Sequence, residues 1–146
     1  MKAVSYKPGD LPAVIPYLLV PDSTRAVQFA KDVLGAREQH IGRGADGRIQ
    51  HATLLIGDAA VMIGLARPEW PANAAMVYVY VPDVDATYQH ALAAGATSVR
   101  EPKDEPYGDR GAGVKDRDGT TWWLATHKED LSGDEIERRV RAQHSR

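Results

Sequence analysis

Aromatic and imidazole side chains, with no thiols, set the chemistry open to this chain: it has five histidines, six tyrosines, three tryptophans and no cysteine. That excludes a thiolate nucleophile, a thiolate metal site and a disulfide frame. His40, His51, His90, His127 and His144 show neither the H-x-x-x-H nor the H-E-x-x-H spacing that sets two imidazoles on one helix face for a metal. Ser5, Ser23, Ser98 and Ser132 fall in predicted turns or caps, with no nucleophile elbow around them. Gly42-Arg43-Gly44-Ala45-Asp46-Gly47 lacks the Lys-Ser/Thr and following helix of a phosphate loop and reads as a strand-to-strand turn. What remains is recognition chemistry. Tyr17, Tyr78, Tyr80, Tyr107 and Trp123 offer ring faces with polar handles, and Arg110 offers a planar cation for a carboxylate or phosphate.

These residues need elements to position them, and the stretch Tyr107–His127 is the most informative. A turn cluster, Asp116-Arg117-Asp118-Gly119, separates two β-prone runs, and Asp-Gly there predicts a hairpin. Trp122 and Trp123 must point to opposite faces of the second strand. Upstream, Val14–Val20 predicts a strand that Pro16 confines to an edge or a strand start, followed by Asp22 or Ser23 as helix N-cap, a helix over Arg25–Leu34 and a stop at Gly35. The same order recurs in Val77–Val81, Asp83, Ala86–Ala94 and Gly95. Asp83 follows Asp22 by 61 residues, and Gly95 follows Gly35 by 60. His51–Gly64 likewise aligns with Gly111–Leu124. The chain is therefore predicted to be α+β, two tandem βαβββ modules over residues 13–66 and 75–127. Ala66–Ala75, with Trp70 between Pro68 and Pro71, is predicted to be a loop, as is the acidic patch Glu101, Asp104 and Glu105 with Lys103. Ser132-x-x-Glu135 predicts a capped, solvated C-terminal helix within residues 131–146, docked by one face or in a subunit contact, its thin apolar stripe formed by Ile136 and Val140.

The formal net charge of −2 carries no basic footprint for nucleic acid. No apolar run is long enough for a signal peptide or for the ~20 residues that cross a bilayer. The expectation is one soluble, cytoplasmic domain over residues 13–130.

Ile15–Val20 with Asp22, Phe29 and Leu34-Gly35-Ala36, then Val79–Asp85, Ala94-Gly95-Ala96, Tyr107–Arg110 and Asp116–His127, resemble the vicinal oxygen chelate superfamily. This is the glyoxalase / bleomycin-resistance / extradiol dioxygenase group, and the resemblance is to its PhnB-like branch. It covers roughly residues 13 to 130. The resemblance implies sheets curled around a cavity and a homodimer that helps close it. It also implies, in metal-using members, His and Glu ligands on the first and last strands of each module, where the ion polarises vicinal substrate oxygens. Those positions here fall on Ile15, Met76, Ile63 and Trp123, and a one-residue slip brings Pro16, Val77 and Trp122. None supplies a ligand for a hard or borderline metal. The expectation is no metal and no cofactor.

If Ile15, Met76 and Trp123 face the implied cavity, strand alternation sends Tyr17, Leu19, Tyr78, Tyr80, Thr121 and Ala125 to the same side. Val77, Val79, Val81, Trp122 and Leu124 then pack under the helices. His51 begins a strand that reaches this wall, with Thr53 near its rim. The candidate ligand-binding residues are Tyr17, His51, Tyr78, Tyr80, Tyr107, Arg110 and Trp123, and no catalytic residue is assigned. Two roles stay open for the aromatics: lining a pocket, or filling the space between sheets or subunits. Arg110 has two roles open as well, clamping an anion under a Tyr107 lid or pairing with Asp109 to stabilise the loop. The resemblance favours a bleomycin-resistance-like protein that sequesters or senses an aromatic or amphipathic small molecule. The alternatives are a glyoxalase- or dioxygenase-type lyase or isomerase with a non-standard site, using His51, Tyr78 or Tyr107, or an accessory subunit with a filled cavity.

Overall fold

The computed structural model describes residues 3–145; Met1 and Lys2 of the predicted lead-in and Arg146 of the predicted tail lie outside the described residues. The chain divides into two compact units, one ending at Ala74 and the other starting at Ala75. The first holds β1 (Tyr17–Val20), α1 (Ser23–Leu34), β2 (Arg37–Arg43), β3 (Ile49–Ile56) and β4 (Ala59–Leu65). The second holds β5 (Met76–Tyr80), α2 (Val84–Ala93), β6 (Thr97–Asp104), β7 (Asp109–Lys115), β8 (Thr121–His127) and α3 (Gly133–His144). Their sheets run β1-β4-β3-β2 and β5-β8-β7-β6, each with its first strand parallel to its last and the other pairs antiparallel. The predicted α+β class and the doubled βαβββ order are what the chain adopts. No helix among the described residues is long and apolar enough to cross a membrane.

Local chemistry accounts for the boundaries. Asp22 and Asp83 accept the backbone N–H of Arg25 (3.0 Å) and Ala86 (3.1 Å), satisfying otherwise orphaned first-turn donors. β1 starts at Tyr17 rather than Val14 because Pro16 has no N–H to donate, though its carbonyl still accepts from Met62 at 2.9 Å. β6 occupies the segment expected to be an acidic loop. It is an edge strand, which tolerates its charges and Pro102, and its register shifts on either side of Arg100.

In the first unit, Ala26, Val27, Ala30 and Val33 of α1 are buried, as are Leu18, Val20, Leu54 and Ile63 of the strands beneath. In the second, Val84, Tyr88 and Ala91 of α2 are buried with Val79, Val114, Trp122 and Leu124. Trp122 is anchored as well as buried. Its Nε1 donates to Asp116 Oδ2 (2.9 Å), whose other oxygen accepts the N–H groups of Asp118 (2.9 Å) and Thr120 (3.0 Å). The β7–β8 turn is thus tied to the core by one carboxylate. α3 is capped by Ser132, which accepts from Glu135 N–H at 3.2 Å, and buries no residue fully, as expected of a solvated helix.

Candidate functional site

The second unit's sheet turns one face to α2 and leaves the other open. The register Tyr78↔Trp123↔Gly113 and Tyr80↔Ala125↔Gly111 places Met76, Tyr78, Tyr80, Trp123, His127, Asp109 and Arg100 on that open face. Met76 is 63% exposed, Tyr80 62% and Tyr78 45%, while Asp109 beside them is 3% exposed. A small apolar and phenolic patch therefore surrounds one buried carboxylate. Tyr78 and Tyr80 hydroxyls both donate to Asp109 Oδ2 at 2.8 Å, and His127 Nδ1 meets Oδ1 at 2.8 Å. His127 Nε2 faces Asp130 at 2.7 Å. Gly108 makes this possible: at φ +97 it turns the chain so that its carbonyl accepts from Lys128 (2.8 Å) and Glu129 (3.0 Å), seating Asp109 opposite His127. A Cβ there would come within 2.5 Å of the Glu129 carbonyl oxygen.

Burial pushes the Asp109 pKa up, but hydrogen bonds from His127, Tyr80 and Tyr78 outweigh it and hold the carboxyl below its usual range. His127 is raised, by Asp109 first and Asp130 second; both ring nitrogens face carboxylates, the arrangement of an imidazolium. Tyr78 is raised by burial and then by bonding to Asp109 and Tyr107, and Tyr80 by Asp109 first. Both phenols therefore stay protonated and serve as donors, not bases.

Next to this network, Trp123 lies across the glycines of β7. A Cβ on Gly113 would stand 2.9 Å from its ring and one on Gly111 3.0 Å from its Nε1. Arg100 sits 4.4 Å over the ring centroid, in cation–π contact, and is ion-paired with Glu105, whose side chain is 7% exposed. Trp123 Nε1 is buried without a hydrogen-bond partner among the described residues. Gly113→Ala is expected to lift the indole and to cost about 1–3 kcal/mol. Urea denaturation with tryptophan emission checks this, and unchanged stability with an unchanged spectrum would refute the packing described.

The first unit carries a smaller counterpart. Tyr17 hydroxyl meets His51 Nδ1 at 3.0 Å, and His51 Nε2 meets Thr53 Oγ1 at 3.1 Å. Tyr17 lies against Gly64, where a Cβ would come within 2.7 Å of the ring. Burial first, then the neighbouring charge of His40, lowers the His51 pKa, so its imidazole is neutral at pH 7. Thr53, expected near a rim, is 2% exposed and closes this chain of bonds from beneath.

Several expected placements change. Asp109 and Arg110 do not pair: adjacent strand residues point to opposite faces. Arg110 instead grips Asp85 at the start of α2 with two bonds (2.8 and 3.0 Å) and Asp104 with a third (3.3 Å), which raises its pKa. Its guanidinium is committed to holding α2 on the sheet, away from the tyrosine face. Glu105 is no solvated loop residue but the buried partner of Arg100. The first-unit counterpart of Trp123 is Met62, not Ile63, since Tyr17 pairs with Met62 as Tyr78 pairs with Trp123. Ile63 is 1% exposed, on the helix side. The side chains at the positions where metal-using relatives carry His and Glu are thus Ile15, Met62, Met76 and Trp123. They offer two thioethers and a donor-only indole, which do not fit a hard or borderline divalent ion.

Residues 13–124 match the family model described as the Glyoxalase/Bleomycin resistance protein/Dioxygenase superfamily. The chain belongs to this superfamily. It is 33% identical over 143 residues to the uncharacterized protein Mb0911c of Mycobacterium bovis, covering 90% of this chain and 94% of that one. Among solved structures it is similar to TioX from Micromonospora sp. ML1, with 31% identity and TM-score 0.67 over 80% of this chain and 98% of that one. It also shares its fold with TnmS3, an antibiotic binding protein from Streptomyces sp. CB03234, at 23% identity and TM-score 0.58 over 80% and 98% of the two chains.

Sequence reasoning about this superfamily member missed Asp109 as the centre of the tyrosine cluster, and His127, Arg100 and Glu105 with it. Alternation alone could have placed Asp109 and His127 on the Trp123 face, since each lies an even number of residues from Gly113 or Trp123. No sequence signal marked Arg100, because the register shifts in β6 break alternation there, or Glu105, which follows the end of that strand.

Proposed function

We propose that this chain is a bleomycin-resistance-like, PhnB-type member of the superfamily that holds an aromatic or amphipathic small molecule, to sequester or sense it, without a metal. The observation that carries this is the second unit's open face. Half-exposed Tyr78, Tyr80 and Met76 surround hydrogen-bonded Asp109, giving ring faces and phenolic groups around one fixed carboxylate. Tyr17 and His51 belong to the corresponding face of the first unit, and Tyr107 lies near enough to help raise the Tyr78 pKa. The metal-position side chains support metal-free binding because they offer no suitable ligand. TnmS3 supports it by analogy, as a protein of this fold that binds an antibiotic. A homodimer in the cytoplasm is part of the same proposal.

The neutral His51, in the form of a base, favours a second reading as a lyase or isomerase. One experiment separates the two. Tag-free protein is assayed for metal before and after incubation with zinc, nickel, manganese and iron(II), then titrated with drug and metabolite panels by tryptophan quenching. Saturable micromolar quenching with no retained metal and no turnover is expected. About one ion retained per chain, lost in His51→Ala, would replace binding with metal catalysis.

A further inference from the structure

A second candidate site lies in the first unit. Tyr17, Leu19, Gln50, Gly64, Leu65, Arg67 and Trp70 enclose a cleft of about 400 Å³, within the range of small-ligand pockets. Its lip is the segment expected to be a loop, and it is built rather than loose. Arg67 and Trp70 exchange two backbone hydrogen bonds of 2.9 Å each, which sets both side chains on one side. Ala66 donates to Val20 at 2.9 Å, and Asn73 pins the far end by accepting from and donating to the backbone of Leu19, both at 3.1 Å. The opposite wall is equally fixed, because the bond to His51 holds Tyr17 over Gly64.

Three features define the occupant. Tyr17 (45% exposed) and Trp70 (63% exposed) are aromatic surfaces left uncovered, and Leu19, Gly64 and Leu65 make an apolar floor. Arg67 lines the cleft with no ion pair or side-chain hydrogen bond among the described residues, and the exposed Glu69 beside it does not line the cleft. A guanidinium beside aromatic walls selects a planar aromatic ring bearing a carboxylate, which gains stacking and a charge-assisted bond together. From this geometry we infer that the Tyr17–Arg67–Trp70 cleft is a binding site for planar aromatic carboxylates. The inference rests on the small-molecule-binding proposal and assigns it a second place and a ligand class.

The test uses 2-naphthoate and its neutral counterpart 2-naphthamide on the full chain, followed by calorimetry and by the indole N–H resonances, with Trp70→Phe assigning the Trp70 signal. Arg67 and Trp70 are exposed, so Arg67→Gln and Trp70→Phe should fold as the parent does. Expected is a saturable shift of the Trp70 signal, with naphthoate binding about tenfold or more tighter than naphthamide. Arg67→Gln should erase that preference. Equal binding of the two compounds, or a Trp70 signal that moves only with protein concentration, as in a subunit contact, would overturn the site. If panel ligands still quench Trp123 while Trp70 stays silent, this cleft fails and the proposed function survives. If neither responds to any ligand, both fall.

Discussion

Asp109→Ala is expected to lower stability by about 2–4 kcal/mol, because it removes the acceptor of three charge-assisted hydrogen bonds and leaves the Tyr78 and Tyr80 hydroxyls without it. The loss should depend on pH in a defined direction. Asp109 is depressed, so its contribution is present above the ordinary carboxylate pKa and fades as pH falls through the lower folded value. His127 is raised, so its contribution is complete below the ordinary imidazole pKa and fades as pH rises through the higher folded value. The difference between wild type and Asp109→Ala should therefore be largest between the two ordinary values, from roughly pH 4 to 6.5, and shrink by pH 9. Urea denaturation of both proteins across that range measures it, and proton titration of the His127 ring should show its pKa falling in the variant. A difference that grows toward pH 9, or an unmoved His127 titration, would mean that the carboxylate–imidazolium pair does not operate.

The second large effect is expected at Asp116. Asp116→Ala orphans the Trp122 indole N–H and the amides of Asp118 and Thr120 at a site where Asp116, Asp118, Thr120 and Trp122 are all buried. Each unsatisfied buried donor costs about 1–3 kcal/mol, so a total of about 3–5 kcal/mol is reasonable, allowing for water entering the turn. At this chain length that lowers the melting temperature by roughly 10 °C. A double-mutant cycle with Trp122→Phe isolates the indole bond, with about 1–2 kcal/mol of coupling expected. Additive losses would show that the carboxylate serves the turn alone and does not anchor the tryptophan. Because Asp116 lies on the turn and not on the open face, ligand quenching in folded Asp116→Ala should match the parent.

Much of this molecule was legible without coordinates, for local reasons. The first helix cap at Asp22 or Ser23, the stop at Gly35 and the Asp118-Gly119 turn each rest on the conformational preferences of a few adjacent residues. The 60- to 61-residue repeat multiplied those local signals into a topology, and the period of two placed Tyr78, Tyr80 and Trp123 on one face and Trp122 and Leu124 on the other.

Partners were a different matter. Which residue stands across from which depends on strand register, and a slip of one residue exchanges the faces. The 60-residue alignment of the last strands led to Ile63, whereas pairing to β1 selects Met62. Asp109 and Arg110, neighbours in sequence, were separated by the sheet and given to Tyr78, Tyr80 and His127 on one side and to Asp85 on the other. The extent of β6 through the acidic patch, and the Arg67–Trp70 lip, were hidden because charged, proline-bearing segments resemble loops until a neighbouring strand satisfies their backbone. The sequence by itself determined the two-module fold and the character of its faces. Long-range hydrogen bonding and packing, which act between residues far apart in the chain, decided which side chains meet to make a site.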